Sequence, residues 1–370
     1  MRTILKKIFS ILVGICVGLI ICEIFLHFYN PFPFAISKGK LVLPANQKTV
    51  FKNTWIKKLD SSIYYSRNSL GFRGPEPTDS INKLLSVICV GGSTTECRYI
   101  SDSLTWPYQL SLKLKDSFPS LWLNNAGVDG HSTFGHLLLL KEYITRLKPK
   151  YITILIGAND VETDKPQQFD AMNERKINFL SAKSFFKSLV NKTELGSAFF
   201  QLYAIRGAYK KGLIHKDVDF LSLKDTILTE AYSAAIIKKQ DVYLSQYRDR
   251  IAEMISICKA NNVQPILITQ PSMFGNYTDS ATMREMANKM IPDADPVSNA
   301  ALMQKVLELY NDVVRSFGNQ VKVVDLAALM PKNSNYFYDF IHYTNAGCGK
   351  IAAILANELT PYFKTNNYGQ

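Results

Sequence analysis

Five short apolar runs alternate with amphipathic segments from about residue 84 onward, and this alternation restricts the possible folds more than any other feature of the sequence. The runs are Leu84–Val90, Leu121–Asn125, Tyr151–Ile156, Pro265–Thr269 and Val321–Leu326. Helical patterns occupy about 104–117, 134–147, 241–261, 299–317 and 344–359. Strands that alternate with helices predict a parallel sheet covered by helices on both faces. The runs are continuously apolar, as expected of strands buried on both sides.

The stretch from 161 to 240 interrupts this rhythm, because it contains helical patterns and no clear strand. Its helical patterns cover Phe179–Val190, Leu195–Tyr209 and Leu223–Lys239. We therefore predict a helical insert over one end of the sheet. Two interpretations of the insert remain open: a lid over the substrate, and a structural addition that does not contact it.

The first 30 residues predict a membrane segment. Arg2, Lys6 and Lys7 precede a largely apolar run over residues 8–28, in which Glu23 is the one acidic residue. About twenty helical residues span the ~30 Å core of a bilayer. Basic residues before the run favour a cytoplasmic N-terminus, which places the rest of the chain outside the cytoplasm, in the periplasm or at the cell surface. We favour an uncleaved single-pass anchor; a cleaved signal peptide and a buried helix are the alternatives.

The predicted organisation is therefore an anchor over 1–30, a linker with an N-terminal extension over 31–83, and a main domain over 84–365. The net charge of +12 is concentrated near the N-terminus, since residues 1–60 contain nine basic and two acidic side chains. A nucleic-acid binder usually carries a basic stripe on its folded domain. This distribution instead favours a membrane surface or an anionic polymer, and we expect no nucleic-acid partner.

A polar or glycine-rich cluster follows each apolar run. The clusters are Gly91–Thr95, Asn125–Gly130, Gly157–Asp160, Gln270–Pro271 and Tyr338–His342. Parallel α/β sheets bind ligands at the carboxyl ends of their strands, so we expect the five clusters to converge on one edge. Each cluster alone is more often a turn or a cap than a site, and only the joint pattern is specific.

Serine chemistry fits these clusters. A serine hydroxyl becomes a nucleophile when a base accepts its proton and donors stabilise the negative charge that forms on the carbonyl oxygen. Ser93 follows a glycine pair between a strand and a helix. His342 is the candidate base, and Asp339 can accept the hydrogen bond of its Nδ1–H. The candidate oxyanion donors are the backbone N–H groups of Ser93 and Gly130 and the side-chain amide of Asn159.

This arrangement resembles the SGNH (GDSL-type) hydrolase family, which takes its letters from Ser, Gly, Asn and His in four sequence blocks. The matching residues are Ser93 in GGST, Gly130 in NAGVDG, Asn159 in GAND and His342 in DFIH. The resemblance covers about residues 84–160 and 241–362. It implies a three-layer, flavodoxin-like fold with a five-stranded parallel sheet. It also implies a Ser-His-Asp triad, with Asp339 as its acid, that uses neither a cofactor nor a metal.

Two further segments, Asn68–Gly74 and Thr105–Pro107, look like stretches of membrane-anchored bacterial members. One departure from the family is Gly92, where an aspartate often precedes the nucleophile. The insert over 161–240 also lies outside the minimal family pattern, so the resemblance carries over no substrate range.

The function expected from these residues is that of a membrane-anchored serine esterase. Its substrate would be an acyl or acetyl ester, borne by a small molecule, a cell-envelope glycan or a lipid. An O-acyltransferase that passes the acyl group to a sugar hydroxyl is the first alternative, since the same triad serves both reactions. A catalytically silent glycan-binding domain is the second, and the presence of all five site residues argues against it.

Several residues near the site have less specific patterns. Asp160 is expected to hold the loop of Asn159, His131 follows Gly130 without an acid placed to orient it, and His215 lies in no motif. Three cysteines lie outside the membrane run and the first strand, and unpaired thiols are our default for them. A disulfide between two of them remains open. They are Cys97, Cys258 and Cys348.

Overall fold

A computed structural model of the chain describes residues 2–29, 36–37, 40–41, 43–167, 170, 193–196, 198–199, 202 and 215–367. The chain divides into two compact units, one containing residues 1–44 and 171–214 and the other containing residues 45–170 and 215–370. The helical pattern predicted over Phe179–Val190, and most of that over Leu195–Tyr209, lie outside the described residues.

A five-stranded parallel sheet forms the centre of the second unit. Its strands are β1 (Leu85–Gly91), β2 (Leu121–Asn125), β3 (Tyr151–Ile156), β4 (Gln264–Thr269) and β5 (Lys322–Val324). They lie in the order β2-β1-β3-β4-β5, and every neighbouring pair is parallel. This is the flavodoxin-like, doubly wound order. Every residue of β1 and β3 is buried, as their continuously apolar sequences predict. The predicted fold class is confirmed.

The described residues form helices in both units, and helices of the second unit cover the sheet in two groups. The helices are α1 (Arg2–Phe28), α2 (Ser93–Glu96), α3 (Trp106–Lys115), α4 (Thr133–Glu142), α5 (Glu230–Lys239), α6 (Asp241–Ala260), α7 (Ala300–Arg315), α8 (Leu326–Leu329) and α9 (Asn345–Asn367). Helix α3 packs against α9, whereas α4 packs against α6 and α6 against α7. Short 3₁₀ turns occur at Ile81–Lys83, Asp102–Leu104, Ile144–Leu147 and Ala158–Asp160.

Some predicted bounds were wrong. The last strand was predicted over Val321–Leu326 but ends at Val324, because the side chain of Asp325 accepts the N–H of Ala328 and so caps α8. The helix predicted over Leu223–Lys239 begins only at Glu230, where Thr229 is its N-cap.

The second unit begins at Ala45 and therefore includes residues 45–83, which the sequence analysis assigned to a linker and extension. Antiparallel strands Gln47–Lys52 and Ser62–Arg67 form a hairpin there. In the connection between them, Ile56 and Leu59 are buried in the hydrophobic core. This part of the extension is thus integral to the unit that contains the sheet. Smaller antiparallel pairs join Ile36–Ser37 to Lys40–Leu41 and Thr278–Asp279 to Arg284–Glu285.

The first unit contains α1, which over Ile4–Phe28 is long and apolar enough to cross a membrane; a signal sequence would satisfy the same criterion. The carboxylate of Glu23 accepts the backbone N–H groups of Glu194 at 2.7 Å and Leu195 at 3.0 Å. Hydrogen bonds of this kind reduce the free-energy cost of an acid within an apolar segment. Glu23 therefore has defined partners within its own unit.

Candidate active site

The side chains of Ser93, His342 and Asp339 form one continuous hydrogen-bonded chain. Ser93 opens α2 directly after β1 and Gly92. Its Oγ lies 2.8 Å from Nε2 of His342, and Nδ1 of His342 lies 2.7 Å from Oδ2 of Asp339. The second carboxylate oxygen of Asp339 accepts the backbone N–H groups of Ile341 and His342. These contacts fix both the acid and the plane of the imidazole.

The electrostatics of Asp339 suit an acid that remains ionised. Burial acts to raise the pKa of this carboxyl group, but His342 and the two backbone N–H groups outweigh it, so that the pKa lies below its ordinary value. The carboxylate can therefore hold the Nδ1–H of His342 and leave Nε2 facing the serine hydroxyl.

The three candidate oxyanion donors lie on neighbouring loops. Asn159 belongs to the 3₁₀ turn after β3, and its Nδ2 donates one hydrogen bond to the carbonyl oxygen of His131 at 2.9 Å. Gly130 directly precedes His131 and has a φ of +74°. Among the described residues, the backbone N–H groups of Ser93 and Gly130 donate to no protein acceptor. These two groups therefore remain free to bind an oxyanion.

A cavity of about 40 Å³ opens beside Ser93. Its lining includes Ser93, Asn159 and His342, together with His131, but among the described residues Gly130 is not part of it. A single water needs roughly 10–15 Å³ of such volume, so the cavity has room for about three or four water-sized groups.

Comparison with known proteins identifies the family. The model of the GDSL-like lipase/acylhydrolase family matches residues 89–349, well over half of the chain. The chain belongs to the GDSL-like lipase/acylhydrolase family. It is therefore an ester hydrolase by family, and the resemblance seen in its sequence is confirmed. No curated protein sequence matches it significantly.

Solved structures similar to this acylhydrolase include three bacterial or metagenomic enzymes. A GDSL-like lipase from Bacteroides thetaiotaomicron is 15% identical and has a TM-score of 0.38, with 77% of this chain and 91% of that chain covered. A catalytic mutant of an acetylxylan esterase from Geobacillus stearothermophilus is 13% identical with a TM-score of 0.41, covering 74% and 93%. An alpha/beta hydrolase from the metagenome of Lake Arreo is 15% identical with a TM-score of 0.40, covering 75% and 96%.

The departure from the family at Gly92 has a steric reason in this acylhydrolase. A Cβ atom at this position would lie 2.5 Å from Nδ2 of Asn159 and 3.0 Å from the carbonyl oxygen of His131. An aspartate would therefore displace the Asn159 amide from its present position. The observed position of the Asn159 side chain therefore requires glycine at position 92.

Two arginines hold the short helix α2, which begins at Ser93: Arg67, the last residue of the hairpin, and Arg73, six residues later. Sequence reasoning missed both. Arg73 donates to the carbonyl oxygens of Glu96, Cys97 and Ile100 and pairs with Asp102 at 2.6 Å. It therefore satisfies acceptors that the one-turn helix leaves without helical partners. The segment Asn68–Gly74 was noticed for its resemblance alone, and its spacing gave no indication of this role.

Arg67 forms the second attachment, through an ion pair with Glu96 at 2.9 Å in which both side chains are 3% exposed. Burial acts to raise the pKa of Glu96, but Arg67 and Arg98 lower it below its ordinary value overall. The other carboxylate oxygen of Glu96 accepts the backbone N–H of Asp129 at 2.6 Å. Glu96 thus joins α2 to the loop that contains Gly130.

Arg73→Met should lower the free energy of unfolding by about 3–5 kcal/mol, because it leaves three carbonyl oxygens of buried residues and the half-buried carboxylate of Asp102 without their donor. Thermal and urea unfolding of the purified protein would measure the loss. Arg98→Met is the matched control, since the Arg98 side chain is 40% exposed and lies 3.9 Å from Glu96. Equal losses in the two variants would contradict the anchoring role of Arg73.

Three further side chains near the site, those of Asp160, His131 and His136, are buried. Asp160 accepts the backbone N–H and the hydroxyl of Thr133, and burial raises its pKa to about 6. It thereby fixes the turn of Asn159 to the start of α4. Burial lowers the pKa values of His131 and His136, so both rings are neutral at pH 7.

The remaining sequence candidates have defined places. All six cysteines are free, and the sulfur atoms of Cys97 and Cys348 lie 3.9 Å apart in the interior. His215 is a site residue that the sequence analysis missed. Its ring centroid lies only 4.0 Å from that of His342, although no motif marks it.

Proposed function

We propose that this acylhydrolase is a serine esterase that cleaves acyl or acetyl esters through an acyl-enzyme, with Ser93, His342 and Asp339 as its catalytic triad. The observation that carries the proposal is the hydrogen-bonded chain from Ser93 Oγ through His342 to Asp339 beside a cavity. Such a chain gives a serine hydroxyl the base that it needs as a nucleophile.

In the first half of the reaction, Ser93 Oγ bonds to the acyl carbon while its proton moves to Nε2 of His342. The backbone N–H groups of Ser93 and Gly130 and the amide of Asn159 stabilise the negative charge on the former carbonyl oxygen. The bond from the acyl carbon to the alcohol oxygen then breaks, and His342 returns the proton to that oxygen. Water repeats the sequence on the acyl-enzyme and releases the acid.

An acetyl group fits the cavity of about 40 Å³ beside Ser93. We further propose that α1 remains as an anchor in the cytoplasmic membrane and that the second unit acts outside the cytoplasm. Basic residues before the span support this orientation. A cell-envelope glycan or a lipid would then present the ester.

Replacement of water by a sugar hydroxyl would make the same site an O-acyltransferase. Both reactions use the same acyl-enzyme, so product analysis with added glycan separates them: transfer in preference to hydrolysis would select the alternative. A silent glycan-binding domain is disfavoured by the 2.8 Å contact between Ser93 and His342, which a site without turnover does not require.

Labelling of the full chain in detergent with a fluorophosphonate tests the proposal without knowledge of the substrate. We expect the wild type and Ser111→Ala to be labelled and Ser93→Ala to be unlabelled. Ser111 is a suitable control because its hydroxyl, which donates to the carbonyl oxygen of Tyr108, lies on α3 away from the site. The triad would be overturned if Ser93→Ala were still labelled, or if the folded wild type were not labelled.

A further inference from the structure

A second chain of hydroxyl, imidazole and carboxylate lies against the first. Nδ1 of His215 is 2.5 Å from Oη of Tyr338, and Nε2 is 3.3 Å from Oδ1 of Asp129. The ring of His215 lies 4.0 Å from that of His342, centroid to centroid. The Tyr338 ring lies 5.5 Å from His342 and within 8° of parallel to it.

The backbone holds the members of this second chain firmly. The N–H of Asp129 donates to Glu96, and the N–H of Tyr338 donates to the carbonyl oxygen of His342. The carbonyl oxygen of Tyr338 accepts the N–H of Val218, three residues beyond His215. The Tyr338 side chain is buried, with the residue only 3% exposed. Three separate segments of the chain thus meet at the His215 ring.

The partners of His215 are both able to accept hydrogen bonds. A carboxylate only accepts, and a phenol oxygen can accept while its own O–H donates elsewhere. Burial disfavours the charged imidazole, but Asp129 outweighs this effect and raises the pKa of His215. Burial raises the pKa of Tyr338 well above its ordinary value, so its hydroxyl keeps its proton. The imidazolium can therefore donate to both partners and leave the Tyr338 O–H to donate to a third group.

The cavities show where that third group lies. Two cavities meet at Ser93 and His342. The first contains Asn159, a candidate oxyanion donor, and therefore suits the acyl group. The second, of about 10 Å³, is lined by Tyr338 and Tyr99 as well as by Ser93, Thr94 and His342, which both cavities share. It has room for one water-sized group, which suits the alcohol oxygen of the ester, with the rest of the alcohol outside it.

The surroundings of the second cavity are aromatic and polar. Tyr99 packs edge-to-face against Trp55 at 5.6 Å, and the Trp55 residue is 45% exposed. The side chains of Asp129 and Arg98 are 38% and 40% exposed. An exposed aromatic face beside polar groups suits a pyranose ring, which stacks through its C–H face and offers hydroxyls at its edge.

We propose that Tyr338, positioned by His215 and Asp129, donates a hydrogen bond to the alcohol oxygen of the ester, and that this alcohol is a carbohydrate. The inference rests on the proposed function of Ser93. Tyr338 transfers no proton in this scheme: His342 protonates the departing oxygen, and the Tyr338 O–H stabilises the charge that develops on it. His215 and Asp129 act through Tyr338 as positioning residues.

Two acetate esters with different leaving groups test the proposal on the full chain in detergent. The first is 4-nitrophenyl acetate, whose nitrophenolate is stable enough to leave without a hydrogen-bond donor. The second is a fully acetylated methyl glucopyranoside, whose sugar alkoxide needs a donor that stabilises its charge as it leaves. Tyr338→Phe should lower kcat/KM for the sugar acetate about 10- to 100-fold, as loss of a charge-assisted hydrogen bond does, and for the nitrophenyl ester less than about threefold. The nearby Tyr336→Phe is the matched control and should change neither value.

The pH dependence of Asp129→Asn distinguishes a positioning role of Asp129 from a purely structural one. Because Asp129 raises the pKa of His215, its removal makes the imidazolium lose its proton at a lower pH. The alkaline limit of sugar-acetate cleavage should therefore move to lower pH, and that of nitrophenyl acetate cleavage should stay. The other titratable or charged groups around His215 and Asp129, which stay constant in this comparison, are Asp339, His342, Glu96, Tyr99 and Arg98.

The outcomes separate this inference from the proposed function. Equal losses for both esters in Tyr338→Phe, or no loss for either, would overturn the alcohol-side role of Tyr338. Cleavage of nitrophenyl acetate without any cleavage of the sugar acetate by the wild type would overturn the carbohydrate assignment. Failure of the proposed function would instead appear as no turnover of either ester and no labelling that depends on Ser93. Fluorophosphonate labelling of Tyr338→Phe at the wild-type level shows that the variant is folded.

Discussion

Ser93→Ala and His342→Ala should each lower kcat for 4-nitrophenyl acetate by about 10⁴- to 10⁶-fold while the protein stays folded. Without the hydroxyl no acyl-enzyme forms, and without the imidazole nothing accepts the proton of Ser93. Neither substitution removes a large core side chain, so thermal unfolding should change little. The 2.8 Å contact between the two side chains predicts that they act as one unit.

The double variant provides the sharper measurement. Because residues that act as a unit are strongly non-additive, Ser93→Ala/His342→Ala should be no less active than either single variant. Ser111→Ala serves as the control for the serine change. Residual activity of more than about 1% in either single variant, or independent and additive losses, would contradict a shared catalytic function.

Asn159→Ala should lower kcat by about 10²- to 10³-fold, equivalent to 2.7–4 kcal/mol, with KM nearly unchanged. The amide would act only on the charge that develops in the transition state, which is why kcat and not KM is expected to fall. Steady-state kinetics with 4-nitrophenyl acetate measure both constants.

A matched control for this change is Asn333→Ala, since the side chain of Asn333 is half-buried and donates to Ser280 away from the site. Asn159 also donates to the carbonyl oxygen of His131, so the thermal stability of the variant must be measured alongside its kinetics. A loss of less than about fivefold in a stable variant would remove Asn159 from the oxyanion site.

The sequence was sufficient for the sheet and for the central contacts of the site because both depend on local patterns. Continuous apolar runs define buried strands, and polar clusters at strand ends meet wherever parallel strands end together. The family blocks then named Ser93, Asn159 and His342, and the structure places these three side chains around one cavity. The helix start at Glu230 was missed because Thr229, a capping residue, overrides the apolar pattern that begins seven residues earlier.

What the sequence could not provide are contacts between distant segments. Arg67 meets Glu96 across 29 residues, and His215 meets Asp129 across 86, with no periodicity to relate the members of either pair. His215 also lies within the stretch over residues 161–240, in which the alternation of strands and helices is lost. Only the folded chain reveals that such residues support the site.

The attachment of α2 by Arg67 and Arg73 limits how this enzyme can be shortened. A truncated chain that begins at residue 84, where the apolar strand pattern starts, would lack both arginines. The carbonyl oxygens of Glu96, Cys97 and Ile100 would then lose the hydrogen bonds that Arg73 donates to them. A version that starts at Ala45 keeps the hairpin and the helix together. A fragment that keeps these contacts is therefore larger than the recognisable family region, because residues 45–83 support the helix that begins at Ser93 as directly as the strand before it does.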